Sequence, residues 1–204
     1  GTAVHVGRDL RPSSPEIAEV VMAAVQAAGL QAVDAGDVPT PALALGSMAA
    51  GNAAIMITGS HIPADRNGLK FYIPSGEVAK SDEAAINAAL DQDWATAPTP
   101  GPRSTAPDTG AAYISRYRAA FGPQALAGLT LGIYQHSSVA RDIMVDVVEA
   151  LGARAVPLAR SETFIPVDTE AVDPATRTQL AGWCAQHGLD AILSTDGAAA
   201  RPML

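Results

Sequence analysis

A serine hydroxyl, a histidine and a lysine lie close together in one stretch of this sequence, ITGSHIPADRNGLKFY, residues 57–72. Ser60 comes at the end of an apolar run, His61 is its neighbour, and Lys70 follows ten residues later. A plain connecting loop needs only turn-forming residues such as glycine, proline and serine. The addition of a nucleophile and a cation makes the stretch a candidate catalytic site. The competing interpretation is that Ser60 is only a turn-forming residue.

Two common chemistries do not fit this serine. A nucleophile elbow requires the pattern G-x-S-x-G, whereas the residues around Ser60 read TGSHI. His61 is also poorly placed to turn its imidazole onto the hydroxyl of the adjacent residue, so a serine hydrolase is disfavoured. The glycine loops that cradle phosphates, G-x-x-x-x-G-K-S/T and G-x-G-x-x-G after a strand, do not occur. Nucleotide binding through those motifs is therefore excluded.

A second candidate lies near the end of the chain, in ILSTDGAAARPML, residues 192–204. Asp196 begins a loop that looks like an ion-binding site but continues as three alanines before Arg201.

Other polar residues have structural interpretations. Arg8, Asp9 and Arg11 follow the first apolar run, and an internal ion pair that braces their loop is preferred over substrate contact. His136 follows a predicted strand, as Ser60 does, but it is left outside the site.

Hydrophobic patterning places both candidate loops after β-strands. TAVHV reads as a buried strand, and the apolar stripe of PEIAEVVMAAVQAAG predicts a helix that begins with Ser13 and Glu16 as a capping box. A second strand (LQAVDAG), a second helix (PALALGSMAAG) and a third strand (AAIMITG) follow. Such alternation predicts a mainly parallel sheet with Ser60 at the carboxyl end of a central strand, the edge at which open α/β sheets bind ligands.

A similar rhythm in the second half of the chain predicts two similar three-layer α/β domains with mainly parallel sheets. The first domain covers residues 1–92 and contains the Ser60 loop. Residues 93–112, DWATAPTPGPRSTAPDTGAA, are rich in proline and lack apolar periodicity, so they are interpreted as a linker. The second domain covers residues 113–204 and ends at the loop of Asp196.

The composition excludes several classes of function. The 204 residues are 48% hydrophobic and 17% charged. This composition is typical of a globular protein and provides enough apolar residues for hydrophobic cores. A net charge of -8 and the lack of any basic run argue against a nucleic-acid partner, whose backbone needs clustered cations. The sequence has no apolar span long enough to cross a membrane and a single cysteine, Cys184, so we expect a soluble, cytoplasmic protein without a membrane partner.

The stretch around Ser60 resembles the phosphoserine loop of the α-D-phosphohexomutase superfamily, the phosphomannomutases and phosphoglucomutases. The pattern of that loop runs T-x-S-H-x-P and then N-G-x-K. Gly59 and Ile62 depart from its commonest form, which has Ala and Asn there. The resemblance extends to VGRDLRPSSPE, to VPTP and to STDG followed by Arg201, and thus to nearly the whole chain. Such enzymes have four domains, and the chain is similar to the first two, with the segment before the first strand missing or shortened. The residues on the loop pattern are Thr58, Ser60, His61, Pro63, Asn67, Gly68 and Lys70.

The resemblance implies roles for individual residues. Ser60 would be phosphorylated, giving its phosphoryl group to a sugar phosphate and taking one back, with Lys70 and Arg201 as the cations of the site. His61 and Asn67 would support the loop or the substrate. The implied enzyme is an intramolecular phosphotransferase that interconverts the 1- and 6-phosphates of mannose or glucose through a bisphosphate intermediate. Its binding partners would be small sugar phosphates.

The resemblance also implies Mg²⁺, held by the carboxylates of a D-G-D-x-D-R loop together with a phosphoserine oxygen. Here Asp196 supplies the first carboxylate, whereas Ala198 and Ala200 stand where the family has aspartates. Mg²⁺ demands near-octahedral oxygen ligation, so its binding is expected to be weak or absent and the chain as given inactive.

Two hypotheses on function follow from the resemblance and from its defect. The first is the phosphohexomutase. The second is a non-catalytic, two-domain protein that binds sugar phosphates or has a regulatory role. The alanines themselves have three possible origins, namely natural loss of the site, deliberate inactivation, or incompletely recorded side chains, and we favour the second and third.

Overall fold

Two β-sheets flanked by helices make up the part of the chain that this computed structural model describes, residues 2–60, 62–93 and 96–204. The first sheet contains β1 (Ala3–Arg8), β2 (Gln31–Asp37), β3 (Ala53–Ile57), β4 (Leu69–Ile73), β5 (Gly76–Glu77) and β6 (Arg103–Thr105). The second contains β7 (Thr130–His136), β8 (Arg154–Arg160), β9 (Ala191–Thr195) and β10 (Pro202–Met203). The helices are α1 (Ser14–Ala27), α2 (Thr40–Ala49), α3 (Lys80–Ala88), α4 (Thr109–Phe121), α5 (Arg141–Ala150) and α6 (Pro174–His187).

Both sheets are mainly parallel, with antiparallel strands at one side. The first has the order β5-β4-β3-β1-β2-β6, in which β1 runs parallel to β2 and β3 while β4 and β5 are antiparallel. The second has the order β10-β9-β7-β8, in which β7 is parallel to both β8 and β9. The predicted α/β class with two mainly parallel sheets is confirmed.

The first sheet is buried on both faces, as parallel strands require. The apolar stripe of α1 packs on one face and α2 covers the other, which gives the three-layer arrangement. Burial of each large apolar side chain contributes roughly 1.5–3 kcal/mol. The fully buried members of these two cores are Val6, Ala18, Met22, Ala32, Leu43, Ala54, Met56 and Ile57. A third core, between the second sheet and α5, contains Leu131, Ile133, Val148 and Ala153.

The predicted capping box at the start of α1 is not formed. Ser13 has helical backbone angles, φ -83° and ψ -15°, and makes no side-chain cap hydrogen bond. Its hydroxyl instead accepts a hydrogen bond from Asn67 Nδ2 at 3.0 Å. Asn67 belongs to the loop that follows Ser60, so the first turn of α1 is tied to that loop.

The segment predicted as a linker, residues 93–112, is partly built into the first sheet. Its strand β6 pairs in parallel with residues 32–34 of β2, and the Arg103 guanidinium binds the carboxylates of Glu19 and Asp34. The strand is too short and too polar to show alternation, and it is held by the open edge of β2 rather than by its own pattern. Helix α4 then begins within the same segment, at Thr109.

Among residues 2–60, 62–93 and 96–204, none of the helices has the length and apolar character needed to cross a membrane.

Candidate functional site

The loops that carry Ser60 and Asp196 are in direct contact. Ser60 follows β3 and Asp196 follows β9, so each lies just beyond the carboxyl end of a parallel strand. The Ser60 hydroxyl donates a hydrogen bond to Asp196 Oδ2 at 2.5 Å. The site lies at the sheet edge where α/β proteins bind ligands.

The backbone of Ser60 adopts a strained conformation. Its φ is +51°, in the left-handed region that residues other than glycine seldom enter. Such strain persists only where the surroundings impose it, and it clusters at functional sites. Here the Ser60 N–H donates to Thr58 Oγ1 at 2.8 Å, and the Ser60 carbonyl accepts from Arg11 Nη2 at 3.0 Å. These two bonds hold the residue with its hydroxyl towards the second sheet.

Arg11 organises the whole loop that follows Ser60. Its side chain is fully buried and its Nε lies 3.2 Å from Asp9 Oδ2, so the predicted internal ion pair is confirmed. The sequence did not indicate its second function, because the partners lie 49 to 55 residues away along the chain. The guanidinium donates to four backbone carbonyls at 2.6 to 3.0 Å, those of Ser60, Ile62, Pro63 and Arg66.

Phe164, which follows β8, packs against this arginine. The ring is almost fully buried, and Arg11 Cζ lies over it at 4.5 Å from the ring centre. Two glycines leave room for this contact. A Cβ on Gly59 would lie 2.6 Å from Arg11 Cζ, and one on Gly197 would lie 3.0 Å from the Phe164 ring. Gly59 was the one sequence feature that could have indicated this contact, since it is one of the departures from the family pattern.

The loop after β9 is organised around Asp196, which is completely buried. Asp196 Oδ1 accepts hydrogen bonds from the backbone N–H groups of Ala200 at 2.8 Å and Arg201 at 3.2 Å. The carbonyl of Ala198 accepts from the Thr40 N–H at 3.0 Å, which joins the loop to the start of α2. The hydroxyl of Thr40 is buried there and has no hydrogen-bond partner among the described residues.

The structure pairs the two predicted cations with carboxylates beside them. Lys70 Nζ lies 3.8 Å from a Glu77 carboxylate oxygen, and Arg201 Nε lies 3.2 Å from one of Glu170. These ion pairs lie outside the Ser60–Asp196 contact. Asn67 donates to the hydroxyls of Ser13 and Ser14, whereas His61 lies outside the described residues.

The residues present do not fit the Mg²⁺ site that the resemblance implies. Asp196 is the loop's one carboxylate, and its two oxygens already accept from the Ser60 hydroxyl and from two backbone N–H groups. Ala198 and Ala200 offer no oxygen ligand from their side chains. Across the described ranges, no group of three or more His, Cys, Asp or Glu side chains is placed to hold a metal ion. The loop therefore lacks the donor set that Mg²⁺ prefers.

His136 lies beneath the same loop, completely buried at the end of β7 with φ +31°. Its Nε2–H donates to the Thr195 carbonyl at 2.8 Å, and its Nδ1 has no partner in the described part of the chain. Burial lowers the pKa of His136 below its ordinary value of 6.5, although the Thr195 hydrogen bond and the Asp196 charge act in the opposite direction. The imidazole is therefore neutral in the folded protein at neutral pH.

This lowered pKa predicts a loss of stability in acid. The folded protein binds the proton less tightly than the unfolded chain, so the contribution of His136 is complete above pH 6.5 and declines as the pH falls. The loss is about 1.4 kcal/mol for each unit of pKa difference. Urea unfolding at about pH 7.5 and about pH 5.5 should show a smaller loss in His136→Gln than in the parent chain.

His5 does not confound that comparison, because its pKa is also lowered by burial and it is present in both proteins. His187→Gln, at an exposed position, is the matched control and should behave as the parent does. Equal losses in His136→Gln and the parent would contradict the assignment.

Comparisons with known proteins identify a matching family model and several relatives of this chain. Residues 1–96 match the model of "Phosphoglucomutase/phosphomannomutase, alpha/beta/alpha domain I". The chain is 51% identical to a phosphomannomutase of Sinorhizobium fredii and 45% identical to one of Salmonella muenchen, with 100% of the chain aligned to each. It covers 44% and 42% of those proteins, so it spans about half the length of the curated relatives it matches. A phosphoglucosamine mutase of Dinoroseobacter shibae is 31% identical over 98% of the chain and 46% of its own length.

Solved structures of similar fold support the same relationship. A phosphoglucomutase/phosphomannomutase family protein from Burkholderia thailandensis superposes with a TM-score of 0.76 at 26% identity, over 97% of this chain and 45% of its own. A structure from Thermus thermophilus shares the fold with a TM-score of 0.81 at 22% identity, over 99% of this chain and 48% of its own. The matched first domain contains the strained serine and the arginine that holds its loop. The chain belongs to the phosphoglucomutase/phosphomannomutase family.

Proposed function

We propose that this chain carries the phosphoserine site of a phosphohexomutase, which interconverts the 1- and 6-phosphates of mannose, glucose or both. The observation that supports this most directly is Ser60, which is strained, anchored on both sides of its backbone and hydrogen-bonded to Asp196 at 2.5 Å. The two phosphomannomutase relatives support the substrate class. The proposal includes a cytoplasmic location, in keeping with the unpaired Cys184.

In the proposed reaction, phosphorylated Ser60 transfers its phosphoryl group to a hydroxyl of the sugar phosphate. The Ser60 Oγ–P bond breaks as the sugar O–P bond forms, and the proton lost by the sugar hydroxyl is regained by the serine oxygen. The resulting bisphosphate returns its other phosphoryl group to Ser60. Such transfers depend on positioning and on neutralisation of negative charge rather than on covalent chemistry of the protein.

We assign the neutralising charges to Lys70 and Arg201, with Lys70 contacting the transferring group or assisting the hydroxyl proton. Both would have to leave their present carboxylate partners. Glu77 and Glu170 are 59% and 69% exposed, respectively, and exposed ion pairs contribute only about 0–1 kcal/mol. A phosphoserine would therefore draw Lys70 from Glu77 at low cost. His61 and Asn67 are proposed to support the loop.

Ala198 and Ala200 favour a second candidate, a non-catalytic protein that binds sugar phosphates or regulates through them. With a single carboxylate, the loop lacks the ligands for the Mg²⁺ ion that would neutralise the phosphoserine. If the first proposal holds, this chain is still expected to lack mutase turnover. Phosphoryl uptake and turnover therefore have to be measured separately.

The decisive experiment is phosphoryl uptake by Ser60. Incubation with glucose 1,6-bisphosphate should add one phosphoryl group to the chain, detected by intact-mass analysis, and Ser60→Ala should show no gain. Ser75→Ala removes an exposed turn serine and should gain the group as the parent does. A gain that persists in Ser60→Ala would overturn the assignment, and a parent chain without any gain would favour the binding candidate.

A further inference from the structure

The carboxylate of Asp9 lies at the centre of the contacts that hold Ser60, although it does not touch the serine. Asp9 follows β1, and its side chain is completely buried. It accepts hydrogen bonds from Arg11 N at 3.1 Å, Arg11 Nε at 3.2 Å, Ser14 Oγ at 2.6 Å and Thr58 Oγ1 at 2.8 Å. A buried carboxylate that is paired with an arginine and accepts from this many donors is rigidly placed.

Two of these donors pass the constraint on to Ser60. A threonine hydroxyl has one hydrogen, and that of Thr58 points at Asp9, so its lone pair faces the Ser60 N–H at 2.8 Å. Arg11, aligned by its Nε bond to Asp9, donates its Nη2 to the Ser60 carbonyl. Both polar groups of the Ser60 backbone are thus directed by one carboxylate.

We propose that Asp9 is the positioning residue of the Ser60 loop. Its negative charge sets the direction of the Thr58 hydrogen bond and the orientation of Arg11, and so keeps Ser60 at φ +51° with its hydroxyl towards Asp196. The inference rests on the proposed role of Ser60 in phosphoryl transfer. Loss of the Asp9 charge should reduce the rate of transfer, because a nucleophile displaced by about 1 Å can lose a factor of about 100.

The test compares Asp9→Asn with Asp34→Asn. Asparagine keeps the shape of the side chain but removes its charge. Asp34 is the matched control, because it is bound by Arg8 and Arg103 in the same sheet and has no described hydrogen bond to the Ser60 loop. In Asp9→Asn, amide hydrogen exchange of the segment 58–68 should accelerate roughly tenfold or more, and phosphoryl uptake from glucose 1,6-bisphosphate should slow roughly 100-fold. Asp34→Asn should leave both rates unchanged.

A second pair keeps the inference testable if Asp9→Asn does not fold. Thr58→Val removes the hydroxyl that joins Asp9 to Ser60 and should reproduce both effects, whereas Thr58→Ser retains the hydroxyl and should remain close to the parent. Parent-like exchange and uptake in both Asp9→Asn and Thr58→Val would overturn the inference. A parent chain that takes up no phosphoryl group would instead refute the proposed function, and the exchange measurements would then decide the role of Asp9.

Discussion

The double substitution Ala198→Asp and Ala200→Asp should raise the affinity of this chain for Mg²⁺ by roughly two orders of magnitude or more, because carboxylate number tunes such oxygen sites over several orders. Asp196 alone now offers its carboxylate, and the Ser60 hydroxyl and two backbone N–H groups occupy it. Two further carboxylates in the same tight loop would supply the hard oxygens that Mg²⁺ requires. Isothermal calorimetry with MgCl₂ measures the effect directly.

Stability provides a second signature of the same change. Ala198 is completely buried, so a carboxylate there would be desolvated and close to the charge of Asp196. Without Mg²⁺ the double variant should therefore melt at a lower temperature than the parent, and saturating Mg²⁺ should reverse the loss.

Ala199→Asp is the matched control, because it adds a charge to the same loop at a position that the family pattern does not use. Ala199 has φ +57°, which differs from the expected ligand positions on either side of it. This variant should gain little Mg²⁺ affinity. Equal affinity in the double variant and the parent chain would mean that the metal site has been misplaced.

Arg11→Met should destabilise the folded protein by about 3–5 kcal/mol, the usual cost of removing one partner of a buried ion pair. Methionine fills similar space but leaves the Asp9 carboxylate without its partner and four loop carbonyls without their donor. Arg11→Lys should recover part of the loss, since an ammonium group can pair with Asp9 but cannot span the carbonyls as the planar guanidinium does. Unfolding in urea gives the free energies.

Arg103→Met is the control for this prediction. Arg103 also binds two carboxylates, but its side chain is 38% exposed, so its loss should cost no more than about 1 kcal/mol. Similar losses in Arg11→Met and Arg103→Met would show that burial of the Arg11 contacts does not set their strength.

Local patterns predicted the features that neighbouring residues determine. Apolar runs bounded by turn residues identified the strands, and the position of Ser60 after β3 followed from them. The Asp9–Arg11 pair was also within reach of sequence reasoning, since its members are two residues apart. The contacts of these two residues with the Ser60 loop could not be predicted from the sequence, because Thr58 and Arg66 come close to them only after the sheet forms.

The remaining differences arise from partners that lie outside the predicted motifs. Ser13 has the spacing of a capping residue, yet Asn67 competes for its hydroxyl from a loop 54 residues away. The side chains of Lys70 and Arg201 pair with glutamates that are not part of the motifs that indicated them. The contact of Phe164 with Arg11 joins the segment after β8 to the loop after β1, and no local pattern encodes that contact.

The strand β6 determines where a fragment that contains the first sheet can end without losing stability. A fragment that stops at residue 92, or at residue 96 where the family match ends, would remove β6 and leave residues 32–34 of β2 with unpaired backbone groups. An open edge of this kind is a template for pairing with other chains and leads to aggregation. It would also leave Glu19 and Asp34 without the Arg103 guanidinium. A soluble first-domain fragment therefore has to extend through Thr105.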